Sequence, residues 1–374
     1  MLMGDYGRSS MVISPKYDGI DDKSFKVVDA VSLVLPDDVA DIKGLPMLCF
    51  GRIYVRDSKY ESVLVFDAKG RYLHRVGRLG HARDEVIGRI ESFDVDVKNG
   101  DVHVFNREGA KMLVYDSKGI CKRCVRFSDM LPSSVCLTDG GYIASYDYRS
   151  SSDGCTRLLL LDRECRPVKS FFVDASVNNM TCEGSNTSPL FSDHHGNVTY
   201  LSLLADSLVV ITGDTVKCVL DLNFDEGFLP ASVIDKVKRV GDTSLLRGNP
   251  VQFVSKAMIN GFFVLVEYYG GEYTSNHTCL FDRRNEKYYF KNGFLFMPRV
   301  PGCITTISGD CLVGVVTVED IDNVKRDLDM EMAQRCDGEE MTEKEILGMR
   351  YNPTGVKMVM RKKPCPFIYK VKAK

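Results

Sequence analysis

"VLVFDAKGRYL" (residues 63–73) and "MLVYDSKGICK" (residues 112–122) say nearly the same thing twice. Each is an apolar run, an aspartate, a lysine and a glycine, then another strand-like run. Asp67 and Asp116 stand 49 positions apart (116 − 67). The aspartate can close its own turn through a side-chain hydrogen bond, and glycine then takes the left-handed position. Related turns follow at Asp162 to Cys165, at Gly213 with Asp214, and at Asp282 to Asn285.

A second kind of turn precedes each of these. An apolar run, a glycine-bearing turn and a further apolar run recur at Gly51, Gly100, Gly140, Gly196, Gly261 and Gly309. Tight hairpins ask for positive φ, which a Cβ atom resists, so glycine is the expected residue there. Two hairpins per unit make four antiparallel strands. Units of four strands and about 40–50 residues are the signature of propeller blades, so six first turns predict a six-bladed β-propeller.

The ends of the chain complete this count. "KVVDAVSLVLP" (residues 26–36) is a strand without a hairpin partner, and the sixth unit lacks one strand beyond "PFIYKVK" (residues 366–372). Pairing the N-terminal strand into the last blade resolves both and leaves no open sheet edge there. Residues 26–374 are therefore expected to be a single propeller domain, and residues 1–25 an N-terminal lead with freedom to be flexible. "PASVIDKVKRV" (residues 230–240) has helical spacing and predicts a short helix between the fourth and fifth blades. A helical insertion is expected near 322–350, where Thr342 and Glu345 match a capping box.

Composition narrows the function classes. Basic and acidic residues number 49 and 51, so no basic excess suggests a nucleic-acid partner. No apolar run approaches the ~20 residues of a membrane-spanning helix. The first residues lack the regions of a signal peptide, which leaves the compartment open. The 13 cysteines sit mostly among apolar neighbours, as in "MLCFGRIYV", and read as small buried hydrophobes rather than a disulfide framework.

The unit "IYVRDSKYESVLVFDAKGRYLHRVGRLG…ESFDVDVKNGDVHVF" resembles the six-bladed β-propeller proteins abundant in Bacteroidetes, which are NHL-like in repeat style. The likeness covers nearly the whole chain and is strongest over residues 45–130. Members often carry a "GxGPGEY"-like turn after the first blade. Here that place reads "GRLGHARDEV", keeping Gly77, Gly80 and Glu85. The resemblance implies the fold without implying a reaction, and many members resemble exported lipoproteins, although this chain shows no lipobox.

Several residue groups are candidates for function. "GRLGHARDE" offers Arg78, His81, Arg83, Asp84 and Glu85 on a loop between the first two blades, charges of both signs with one group able to titrate near neutrality. Recognition of an anionic group is its functional reading; a solvated, self-satisfied loop is the bland one. Long connections after the second strands of the third and fifth blades add Arg149 and the amphipathic rings of Tyr148, Tyr268 and Tyr269, on the same face of a propeller. His194 and His195 share a turn and are poorly placed to converge on a metal. Cys121 and Cys124 form the one C-x-x-C, expected to point to opposite faces of a strand. Asp94 and Asp96 alternate near an inner strand.

No nucleophile elbow, HExxH, P-loop or dinucleotide fingerprint appears. The expectation is a non-enzymatic scaffold, monomeric and without cofactor or metal, that binds a protein, peptide or glycan at its top face and channel mouth. A lyase or hydrolase acting on a saccharide or peptide is the alternative.

Overall fold

In the computed structural model the described residues are 7–373, apart from 20–23, 128–129, 147–155, 175–188, 202–204, 241–242, 247–248, 271–274, 294–302 and 324–364. The N-terminal stretch holds β1 (Gly7–Ile13), β2 (Asp18–Gly19) and β3 (Phe25–Ser32). The first blade follows as β4 (Ile42–Cys49), β5 (Arg52–Asp57), β6 (Val63–Asp67) and β7 (Tyr72–Val76). β8 (Ser92–Val95), β9 (Val102–Asn106), β10 (Lys111–Tyr115) and β11 (Cys121–Arg126) make the second.

The third contains β12 (Ser134–Leu137), β13 (Tyr142–Tyr146), β14 (Thr156–Leu161) and β15 (Pro167–Asp174). β16 (Leu190–Ser192), β17 (Asn197–Leu201), β18 (Ser207–Thr212) and β19 (Thr215–Phe224) form the fourth. The fifth is β20 (Val251–Ile259), β21 (Phe263–Gly270), β22 (Ser275–Asp282) and β23 (Lys287–Asn292). In the sixth, β24 (Ile304–Ser308), β25 (Cys311–Val316) and β26 (Phe367–Ala373) are joined by β3, which pairs antiparallel with β26 from Ser32↔Phe367 to Phe25↔Ala373. The architecture is a six-bladed β-propeller whose last blade takes its final strand from near the N-terminus.

Burial within a blade explains the sequence pattern. Second and third strands such as β9, β10, β13 and β25 are buried at every position, because a middle strand has a sheet packed on each face. Fourth strands such as β11 are half-exposed and carry the charge. The chain packs as two compact units, Met1–Gly19 with Val76–Gly293 and Ile20–Arg75 with Phe294–Lys374. In the larger unit, separate apolar cores join blades two to three, three to four and four to five. In the smaller, Ile42, Ile53 and Leu64 of the first blade pack with Val313, Val315 and Ile368 of the sixth.

The aspartate turns form as the repeat predicts. Asp67 Oδ1 accepts from the backbone N–H of Lys69 and Arg71, and Asp116 Oδ1 from Lys118 and Ile120, all at 2.9–3.0 Å. These backbone donors hold both carboxyls below the ordinary carboxylate range. The hairpin glycines are less uniform. Positive φ occurs at Gly51, Gly100, Gly196 and Gly309, but not at Gly140 or Gly261. In the third blade the requirement for glycine falls one residue later, where a Cβ on Gly141 would stand 2.0 Å from Leu161 O.

Residues 7–19, within the expected N-terminal lead, are built onto two blades. β1 pairs parallel with β19 as a fifth strand of the fourth blade, and β2 pairs parallel with β23 of the fifth. Met11 and Ile13 are buried in the core between those blades, and Tyr17 stacks on Tyr288 at 4.8 Å. The helix between blades four and five is α1 (Ala231–Val240), with Val237 fully buried against Leu229 and Leu246. Residues 318–323 are helical and open the expected insertion; Thr342 and Glu345 lie outside the described residues.

Candidate functional site

The loop from Gly77 to Glu91 is clamped to the second blade. Leu79 bridges Val86, with Val86 N donating to Arg78 O at 2.7 Å and Gly80 N to Val86 O at 2.9 Å. Asn106, wholly buried, donates through Nδ2 to Ile87 O and Arg89 O at 2.6 and 2.7 Å, and accepts from Ile87 N at 3.0 Å. Lys111 Nζ, also buried, donates to Ala82 O and Arg83 O at 3.2 and 3.3 Å. Tyr115 OH donates to Asp84 O at 2.9 Å. Three consecutive carbonyls are thus held from below.

That clamping sorts the predicted residues. Glu85 turns back into the loop: Oε2 accepts from Ala82 N at 2.9 Å and fills the space where a side chain on Gly80 would lie. Its Oε1 is 3.6 Å from Arg78 Nε, an exposed pair of small worth. Arg78, His81, Arg83 and Asp84 point outward and are exposed. From Arg78 to Asp84 the loop therefore presents two guanidiniums and an imidazole on a rigid backbone, with one outward carboxylate, and Arg89 and Glu91 are exposed beyond them. Such a fork suits carboxylate-bearing ligands.

The tyrosine candidates divide. Tyr268, in β21, is only 2% exposed, stacked on His277 at 5.1 Å and edge-on to Phe224 at 5.0 Å, so its ring is core and not contact surface. Burial pushes its phenol above the ordinary range. Tyr269 is half-buried and stacks on Phe253 at 4.9 Å. Both lie on the fifth blade, and the loop from Gly77 to Glu91 is seated on the second. Tyr148 and Arg149 lie outside the described residues.

Cys121 and Cys124 depart from the expectation that they face opposite ways. Cys124 pairs with Leu113 and Cys121 with Tyr115, a register shift that leaves Lys122 unmatched. The bulge reverses the alternation, so both cysteines lie on the face shared by Leu113 and Tyr115. Every described cysteine is a free thiol.

The histidine turn connects to something the sequence did not reveal. His194 Nδ1 lies 3.2 Å from Asp94 Oδ1, an ion pair only when the imidazole is protonated. Asp94 Oδ2 accepts from Leu137 N at 3.0 Å, so one carboxylate in β8 links blades two, three and four. Beside it, buried His103 hydrogen-bonds Tyr142 OH through Nδ1 at 2.9 Å. Burial, aided by Arg163, lowers the His103 pKa to about 4. Arg163 in turn donates to Thr138 O and Asp139 O at 3.1 and 3.2 Å. Among the described residues no three His, Cys, Asp or Glu side chains converge as a metal site.

Sequence reading missed the residues that make the loop rigid. Their signal was present: Asn106 and Lys111 are polar residues at the facing ends of two largely apolar runs in "VHVFNREGAKMLVY". Pairing Asp94 with His194 needed the blades to be stacked, since 100 positions separate them.

Comparison with known proteins bears on fold and lineage. A family described as a domain of unknown function, DUF4934, matches residues 40–346. An exported-protein candidate from Bacteroides fragilis has a solved structure similar to this chain, with TM-score 0.72 and 13% identity, covering 98% of this chain and 99% of that one. A DUF4221 family member from Bacteroides vulgatus is similar at TM-score 0.48 and 10% identity over 94% of this chain and 99% of its own. No curated protein sequence matches. The chain belongs to the DUF4934 family.

Proposed function

We propose, with that family membership as premise, that the protein is a non-enzymatic binding scaffold recognising an acidic group on a protein, peptide or glycan through the loop from Gly77 to Glu91. The observation that carries this reading is the clamp: Asn106, Lys111 and Tyr115 fix the backbone, leaving Arg78, His81 and Arg83 outward. A loop that is rigid and self-satisfied in its backbone loses little entropy on binding, so exposed side chains on it act as preformed contacts. Tyr269 is the secondary contact on the fifth blade, and Tyr148 and Arg149 are retained on sequence grounds. The blades are NHL-like in repeat style in this reading.

The test uses immobilised protein with poly-glutamate and polygalacturonate as acidic peptide and glycan probes. Arg78→Ala with Arg83→Ala should weaken capture of one probe by about tenfold or more, and added salt should do the same. Equal capture by the wild-type and double-variant proteins would sink the proposal.

A second reading, a lyase or hydrolase on a saccharide or peptide, draws on one contact. Asp94 is oriented by Leu137 N and faces His194, the arrangement of a general base and its orienting group. Turnover of a polysaccharide or peptide library that His194→Gln abolishes would favour it over the scaffold.

A further inference from the structure

Blades four and five enclose a cleft of about 320 Å3, one wall of which is the N-terminal strand β1 through Ser9, Ser10 and Met11. Val210, Leu220, Ile259, Val264 and Phe281 line its body. At roughly 30 Å3 per water of liquid volume, the space matches a body of about ten non-hydrogen atoms.

Its charged residues are unequally engaged. Asp193 is saturated by its own turn, accepting from His195 N at 2.7 Å, Asn197 N at 3.0 Å and Asn197 Nδ2 at 2.6 Å. Lys217 and Arg283 are exposed, and among the described residues neither has a carboxylate within ion-pair distance. Arg283 is nevertheless held in place, Nη1 donating to Asn260 O at 3.0 Å and its backbone N–H to Phe262 O at 2.9 Å. Burial raises the Cys218 thiol pKa while Lys217 and Arg283 pull it down, which sets both positive charges around one residue of the lining.

From this juxtaposition of an apolar body with two unpaired cations, we propose that the cleft binds a small amphipathic monoanion, a straight-chain carboxylate of about eight carbons. The carboxylate sits between Lys217 and Arg283 and the chain lies along Val210, Ile259 and Phe281. With Asp193 counted, the charge of the lining is one positive, which suits a single negative charge better than a dianion. Strand β1 closes the site, so an occupied cleft holds the N-terminal segment on the fourth blade.

Isothermal titration of the full chain with octanoate and with octyltrimethylammonium tests this. One octanoate per chain should bind, and the cation should not. Arg283→Gln should weaken octanoate by about tenfold or more. Gly261→Phe should abolish it without unfolding the protein, because a Cβ there meets nothing within 4 Å and the residue is not at positive φ. Lys118→Gln, an exposed residue of the second blade outside both sites, should leave it unchanged. No saturable octanoate binding up to about 1 mM, equal binding of the cation, or binding that survives Gly261→Phe would each overturn the proposal.

Discussion

Gly314 in β25 faces Tyr369 in β26, and a Cβ there would fall 2.0 Å from the ring. Tyr369 is fully buried, so it has nowhere to move. Gly314→Ala should therefore lower stability by about 2 kcal/mol, read as a shifted urea midpoint with unchanged slope. His103 makes a pH-dependent contribution. Its folded pKa of about 4 lies below the unfolded value near 6.5, so the unfolded chain binds the extra proton between those limits. The stability this neutral histidine contributes is present above pH ~6.5 and declines toward pH ~4, by about 3 kcal/mol in all. His103→Gln should flatten that slope in urea titrations at stepped pH.

Among elements, the helix beginning at 318 shows how a start is specified. Thr317 Oγ1 accepts from Asp320 N at 3.1 Å while Asp320 Oδ2 accepts from Thr317 N at 2.8 Å, a reciprocal cap. Asp41 adds an acceptor for Val318 N at 3.0 Å. Asp320→Ala should cost about 1 kcal/mol in thermal unfolding. β1 makes a second element-level case. Ile13 is 1% exposed in the core between blades four and five, so Ile13→Ala should cost about 3 kcal/mol. Arg8→Ala, which removes an exposed two-point contact with Asp221, should move the urea midpoint far less than Ile13→Ala. Sequence pattern predicted strands wherever apolar runs met glycine or aspartate turns, because those signals are local. β1 escaped it since "GRSSMVI" is polar for half its length, and its pairing to β19, some 211 residues away at Met11↔Leu222, has no local signature. The β11 bulge escaped for the same reason: strict alternation is the default, and nothing in "CKRCVR" marks the extra residue.

At the scale of the whole molecule, the blade count and the completion of the last blade by an N-terminal strand were legible because each is arithmetic on repeats. The candidate site was legible only in part. Charges in "GRLGHARDE" announced a loop, whereas the separation of outward Arg83 from inward Glu85 depends on the blade beneath. Tyr268 and Tyr269 show the limit most clearly, since adjacent aromatic residues in one strand end up as a core ring and a half-buried one. Removing residues 365–374 deletes β26, which lies between β25 and β3. That truncation should abolish cooperative unfolding of the smaller unit, seen as a lost calorimetric transition, where loss of a peripheral strand would only lower it.

The seam between β3 and β26 also sets a clock on biosynthesis. Ala30 meets Tyr369, made 339 residues later (369 − 30). At about 5–20 residues per second, the earlier strand waits roughly 20–70 s on the ribosome before its neighbour exists. Nascent chains stalled before residue 365 should therefore be cut by protease within residues 25–32, and released chains should resist.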